Sequence, residues 1–455
     1  MSRLIVIGAG ISGLTSAFWA QRAGWDVAVL EATSVPGGTM RTVHENGWLV
    51  ETGPNSALET TPILGEMFSL LGIEGERRYA SDASNKRYVL REGRLHPIPM
   101  SPGAFLAARL WSTRGKLRLL KEPLIGRGTK EETVAEFVER RLGRELLDYG
   151  INPFVAGVYA GNPEQLSVRS AFPKLYALEE KYGGLIKGMI KGARERRGRA
   201  EVAKDRARMF SFAKGMQTFP EALARSLGAK LFYNAPVRSI EVQTPTGTAA
   251  PRFRATTMDG MSIEGDAVVL GVPAYAASDL LRPLVPALAA MLERVYYPPV
   301  AEVFLGIHRT QCGRPLDGFG YLIPEREKRQ ILGTIWSSVI FAGRAPANHV
   351  ALTTFVGGSR QPELLDLDDA QLQELVLGEL GKIMNVSGAP VFSRIYRWER
   401  AIPQYTIGYQ NTVDAIERLE REIPGLFICS NYRGGIAVGD CIMNGKKTAG
   451  RLSQS

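Results

Sequence analysis

Gly8, Gly10 and Gly13, an acid at Glu31, a glycine pair at Gly37 and Gly38 and a cation at Arg41 all fall within the first 41 residues. Residue types in that order suit a phosphate-linked ligand. Glycines let backbone N–H groups approach a pyrophosphate closely, and a carboxylate 23 residues after the first glycine can accept hydrogen bonds from ribose hydroxyls. A nicotinamide dinucleotide asks only for the acid. Gly37, Gly38 and Arg41 therefore imply a longer cofactor that continues past the ribose. Further on, "ETGPNS" (51–56) supplies a turn able to approach a ring system. Gly434 and Gly435, followed by Ile436, Ala437 and Val438, open a last helix whose N–H groups would face a carbonyl edge, with its dipole favouring negative charge there. A reduced flavin, anionic near N1–C2=O, meets that description. There is no second G-x-G-x-x-G for a nicotinamide donor, so the organic substrate itself is expected to supply the electrons.

The elements that must position these residues follow from pattern. "RLIVIGAG" (3–10) reads as a buried parallel strand, "ISGLTSAFWAQRAG" as a helix stopped at Gly24, and "DVAVLEA" as a second strand ending at Glu31. That is a βαβ unit, and the context makes the glycine motif specific. A helix over 215–228, a strand over 230–242, a strand over 266–274 and a strand–turn–helix over 425–452 look like returns to the same sheet. The division expected is a dinucleotide domain from 1–85, 213–274 and 422–455, a substrate domain from 86–98 and 275–421, and a helical domain over 99–212. The substrate domain alternates short β-rich runs ("VAEVFLGIH", "GFGYLIP", "ILGTIWSSVIF", "HVALTTFVGG") with one amphipathic helix over 368–384, a platform for a flat molecule.

Composition narrows the classes. With 455 residues, 45% of them hydrophobic, the chain can build two or three cored domains. Cys312, Cys429 and Cys441 form no pair with metal or redox spacing. His44, His96, His308 and His349 are scattered, so no metal site is expected. The strand beginning at Arg3 leaves no room for a signal or transit peptide ahead of it, and no apolar run reaches the length of a membrane span. The net charge of +10 is concentrated. Residues 101–127 hold six basic side chains against Glu122 alone, and residues 187–208 hold nine against three acids. Together they exceed the whole excess.

The chain resembles the flavin amine oxidase superfamily and, within it, the protoporphyrinogen IX oxidases. The resemblance runs from residue 4 to about 450 through "EATSVPGGTMRT", "ETGPNS", "NKRYVLREGRLHPIP", "NPFVAGVYAGNPEQLSVRSAFP", "GFGYLIP", "LGTIWSS", "TTFVGG", "AIPQYTIGY" and "RGGIAVGDCI". It implies an α/β fold: a Rossmann-like FAD domain of the p-hydroxybenzoate hydroxylase and amine oxidase type, an α+β substrate-binding domain and a helical membrane-associating domain. It also implies six-electron oxidation of a porphyrinogen in three flavin cycles, each passing a hydride to flavin N5, with O2 as acceptor and peroxide as product. The protein's tasks are then to hold the partners in register and exclude other chemistry.

By the same resemblance FAD, held without a covalent link, would touch Gly8, Ala9, Gly10, Ile11, Ser12 and Gly13 in the first turn. Glu31, Ala32, Gly38, Thr39 and Arg41 would follow, then Gly53, Pro54, Asn55 and Ser56. Val237, Trp398, Ile436, Ala437 and Val438 complete the set. Arg87 would pair with a propionate, Phe355 would stack on a pyrrole with Leu322 and Ile335 on the ligand's other side, Asn55 would lie at the reacting edge, and Gly161 would turn backbone toward the macrocycle's N–H groups. Rivals are the same chemistry on coproporphyrinogen III, another amine-oxidase-type reaction, and a flavoprotein scaffold without turnover. The basic segments admit three readings: a solvated face, nucleic-acid binding (no recognition motif accompanies them), or docking on an anionic membrane. The last is favoured, because Phe105, Leu106, Leu110, Trp111, Leu117, Leu120 and Leu124 interleave with the cations. The location expected is the cytoplasmic face of a membrane, as a peripheral protein. A homodimer and contact with neighbouring tetrapyrrole-pathway enzymes are further partners to expect, nucleic acid is not.

Overall fold

The computed structural model describes residues 1–195, 207–243 and 252–452. Five parallel strands form one layer, in the order Leu231–Phe232, Asp26–Leu30, Arg3–Ile7, Ala267–Leu270, Leu426–Ile428. Their aliphatic runs are buried almost throughout, as a parallel sheet covered on both faces requires. The sheet thus gathers strands from the start, the middle and the end of the chain. Helix Ile11–Arg22 lies against the C-terminal helix Val438–Leu452 at close range, because Gly445 has no side chain to hold it off Thr15 and Ser16. Cys441 lies by Ser12 in the same pair, so the two helices run parallel with their N-termini together.

The single strand expected over 230–242 is two strands. Asn234 takes a left-handed φ of 52°, and Pro236 has no N–H for a ladder. The chain turns there, and Val237–Gln243 leaves to pair antiparallel with Arg252–Thr257 in a separate three-stranded sheet. The β-rich run "ILGTIWSSVIF" is also shorter than its pattern: only Gly333–Ile335 pairs, and Ser337–Ile340 coils into a short helix.

A mixed seven-stranded sheet holds, in order, Phe392–Trp398, Val300–His308, His349–Gly357, Gly333–Ile335, Gly320–Leu322, Arg87–Arg91 and Arg94–Pro97. One face carries Ala301, Val303, Leu305 and Ile307 and packs on Leu372, Val376 and Leu380 of helix Asp369–Met384. That helix starts where its amphipathic pattern starts, fixed by a capping box between Asp368 and Gln371. The opposite face is left for other business.

Residues 101–127 do not form one amphipathic helix. Helix Pro102–Ala107 is followed by a break, and helix Thr113–Arg118 then tightens directly into the turns of Leu119–Leu124. Leu110 and Trp111, expected on the interfacial face, are buried, whereas Leu106, Leu117, Leu120 and Leu124 are exposed. Glu122, the lone acid of that segment, is fully buried against Arg141, and its carboxylate accepts from the N–H groups of Leu185 and Ile186 at the head of helix Leu185–Glu195. The first basic segment is thereby tied to the start of the second. The remainder of the second segment, 196–206, lies outside the described residues.

Candidate functional site

The first glycine turn joins strand Arg3–Ile7 to helix Ile11–Arg22, and its glycines have different jobs. Gly8 has φ +97°, and a side chain on Gly13 would run into the Gly8 carbonyl. Gly10 is the opposite case. Its φ of −68° suits any residue, and the nearest protein atom to an added Cβ would be 3.9 Å away. The space in front of Gly10 is open. Ile11 and Ser12 begin the helix beyond it.

Glu31 braces this turn. Its carboxylate accepts from Ala9 N at 2.7 Å and from the N–H and hydroxyl of Thr33. Ala32 beside it is exposed. Asn234 and Ala235 donate to Thr33 O and Glu31 O, two residues before Val237. Gly10 bridges Gly37, and Gly38 lies against Gly10. Arg41 is folded over the same loop, its Nε donating to Gly38 O and Nη2 to Thr33 Oγ1. Gly53 presses so closely on Thr39 O that a side chain there would clash. Trp398, at the end of the seven-stranded sheet, donates from Nε1 to Thr52 O at 2.6 Å and pins the turn that continues through Pro54, Asn55 and Ser56. Ile436, Ala437 and Val438 head the C-terminal helix, with Asn444 holding the preceding turn through Arg433 O. The N-termini of two parallel helices therefore converge at the carboxyl ends of the parallel strands, where helix dipoles and free N–H groups receive anions.

The free face of the seven-stranded sheet is the second half of the site. Strand register puts Leu322, Gly333, Phe355, Glu302 and Tyr396 in one cross-strand row, with Ile335 two residues from Gly333 and Arg87 opposite Gly320. Paired residues share a face, so Arg87, Leu322, Ile335 and Phe355 all stand on it. All three rise from the same sheet face, where side chains of adjacent strands can flank a flat molecule standing on edge. The helix Asn152–Tyr159 covers part of this face, because Gly157 lets it close onto Leu322. Phe355, Leu322 and Ile335 are half-exposed in otherwise buried strands. Gly161 is buried beside Gln404, whose amide donates to Tyr159 O.

Arg87 is exposed, and its guanidinium lies over the Phe319 ring, 5.2 Å from its centroid. The protein around it nonetheless lowers its pKa by desolvation. No acid pairs with it among the described residues.

Between this face and the 51–56 turn lies a cavity lined by Glu51, Asn55, Ser56, Phe304, Ile335, Ser337, Arg344 and Thr353. Asn55 Nδ2 donates at 3.1 Å to Gly53 O and at 3.1 Å to Glu302 Oε1. Burial raises the Glu302 carboxyl well above the usual range, opposed by the Asn55 hydrogen bond and reinforced by Glu51. Burial likewise pushes Glu51 up to about 7, against the pull of Arg344, whose Nη2 is 3.3 Å from its carboxylate. Thr42 Oγ1 and Met216 N also donate to Glu51. Glu302, Glu51 and Arg344 were missed by motif reading. A signal existed for Glu302, the one acid in the apolar run "VAEVFLGIH", since an acid inside a buried strand demands a reason.

The family model described as flavin containing amine oxidoreductase matches residues 11–453. The chain is 31% identical to protoporphyrinogen oxidase 2, chloroplastic/mitochondrial, of Arabidopsis thaliana, over 98% of this chain and 93% of that one. It is 35% identical to the chloroplastic protoporphyrinogen oxidase of Oryza sativa subsp. japonica, over 99% and 88%. It is 28% identical to the coproporphyrinogen III oxidase of Bacillus subtilis (strain 168), over 97% and 96%.

Proposed function

The chain belongs to the flavin containing amine oxidoreductase family, among relatives named protoporphyrinogen oxidase, and from that premise we propose that it binds FAD without a covalent link and oxidises protoporphyrinogen IX to protoporphyrin IX. Six electrons leave in three two-electron steps, with three O2 reduced to three H2O2. The observation that carries the reading is the single face on which Phe355, Leu322, Ile335 and Arg87 stand, with Ile335 reaching the cavity at the Asn55 turn.

The residues present fit a dinucleotide flavin. Open space at Gly10 beside a helix N-terminus accepts a pyrophosphate, and the Arg41 guanidinium lies over the neighbouring loop. Bound FAD supplies the two-electron acceptor. The chain's own part is to present a flat apolar wall to a flat macrocycle, anchor one propionate at Arg87, and place Asn55 at the reacting edge. No strong acid or base need touch an electron-rich tetrapyrrole, consistent with a wall of half-exposed apolar groups. Covalent attachment is disfavoured at the two buried thiols, Cys429 and Cys441: burial raises both, the Cys441 thiol up to about 12.

Purified protein should be yellow, and acid precipitation should send the flavin to the supernatant. Porphyrin fluorescence should grow in air with protoporphyrinogen. Faster growth with coproporphyrinogen III, the chemistry named for the Bacillus subtilis relative, would transfer the reading to that substrate. No fluorescence with either would refute it. The exposed leucines and cations of 101–127 support peripheral docking on an anionic membrane.

A further inference from the structure

Glu302 lies in the middle of a buried strand and is 2% exposed, yet its partner is neither a cation nor a helix terminus. It meets the side-chain amide of Asn55, 247 residues away in sequence. The amide's orientation is decided by its other contact. A backbone carbonyl can only accept, so the atom turned to Gly53 O must be the nitrogen. Its second N–H goes to Glu302 Oε1, which accepts whether or not that carboxyl is ionised. Both donors are used. Among the described residues nothing donates to Asn55 Oδ1, and Asn55 is half-buried on the cavity wall. Its oxygen is left as an acceptor without a donor among those residues.

We propose that Glu302 is a positioning residue that locks Asn55 with its carbonyl oxygen toward the substrate, so that the site favours the reduced macrocycle over the oxidised one. This rests on the function proposed above. A porphyrinogen carries four pyrrolic N–H donors, and two of its ring nitrogens have become acceptors in the porphyrin. An acceptor fixed at the wall meets a donor in the first case and can face a lone pair in the second, which weakens product binding. Were Asn55 free to turn, its amide N–H could serve the product equally well.

The test measures the Kd for protoporphyrin by fluorescence titration and the KM for protoporphyrinogen, and takes their ratio. Glu302→Leu removes the second acceptor and should lower that ratio about tenfold, the scale of one hydrogen bond. Glu302→Gln still accepts from Asn55 and should stay within about twofold of wild type. Asn55→Ala removes the oxygen itself and should reproduce the loss, which keeps the question open to measurement if Glu302→Leu fails to hold flavin. Wild-type ratios in both Glu302→Leu and Asn55→Ala would overturn the proposal. So would a Glu302→Gln protein as impaired as Glu302→Leu, since charge and not acceptance would then matter. A wild-type protein that forms no porphyrin would instead sink the functional reading, and this inference with it.

Discussion

Arg87 has its charge over the Phe319 ring and no acid beside it among the described residues, so an anion from outside the chain is its natural complement. Arg87→Ala should lower kcat/KM on protoporphyrinogen about ten- to a hundredfold, near the lower end for losing one side of a charge pair because the group is exposed. A remote carboxylate interacts alike in ground and transition states, so KM should rise more than kcat falls. Steady-state kinetics decide this, and unchanged values would leave Arg87 a surface residue. Glu51 makes a different prediction, in stability. Its folded pKa of about 7 lies above the ordinary 4.5, so the native state binds the extra proton between those values. Its contribution is full below about 4.5 and is lost as pH rises toward 7. The Tm difference between wild type and Glu51→Gln should therefore drift across that window and level off outside it. A difference that ignores pH would mean that Glu51 ionises alike folded and unfolded.

Among the elements, the glycine turn separates folding from cofactor binding. Gly13→Ala drives a methyl into the Gly8 carbonyl and should cost about 1–3 kcal/mol, as overpacking does, read as a lower Tm even without flavin. Gly10→Ala meets no protein atom closer than 3.9 Å at a φ of −68°, so the flavin-free protein should keep its Tm while flavin affinity falls at least tenfold. Equal flavin affinity in Gly10→Ala would show that nothing bulky approaches there. The strand–turn–helix of residues 3–31 was legible because its signal is local: an aliphatic run, three glycines, a helical period and an acid at fixed spacing. The split at Asn234 and Pro236 was also written locally and was overridden by the apolar run around it. The Asn55–Glu302 contact and the common face of Leu322, Ile335 and Phe355 were not legible. Both depend on register between strands far apart in sequence, which periodicity does not encode.

At the scale of the whole molecule, exposed apolar side chains share two segments with a concentration of cations. Exposed Leu106, Leu117, Leu120, Leu124, Met189 and Ile190 belong to the two basic segments that Glu122 ties together. Among the described residues no helix is long and apolar enough to cross a membrane. Each cation near an anionic surface adds on the order of 1 kcal/mol, screened by salt. Co-sedimentation with anionic vesicles should fall steeply as salt rises, and neutral vesicles should bind poorly. Equal binding to both would leave only the apolar contribution. The five-stranded sheet also sets a timetable for synthesis. Its outer strand, Leu426–Ile428, emerges long after its neighbour Ala267–Leu270. At roughly 5–20 residues per second the ribosome leaves that neighbour's edge unpaired for on the order of ten to thirty seconds. An apolar strand edge exposed for that long invites another nascent chain. Stalling between residues 270 and 426 would thus yield a sticky, colourless fragment.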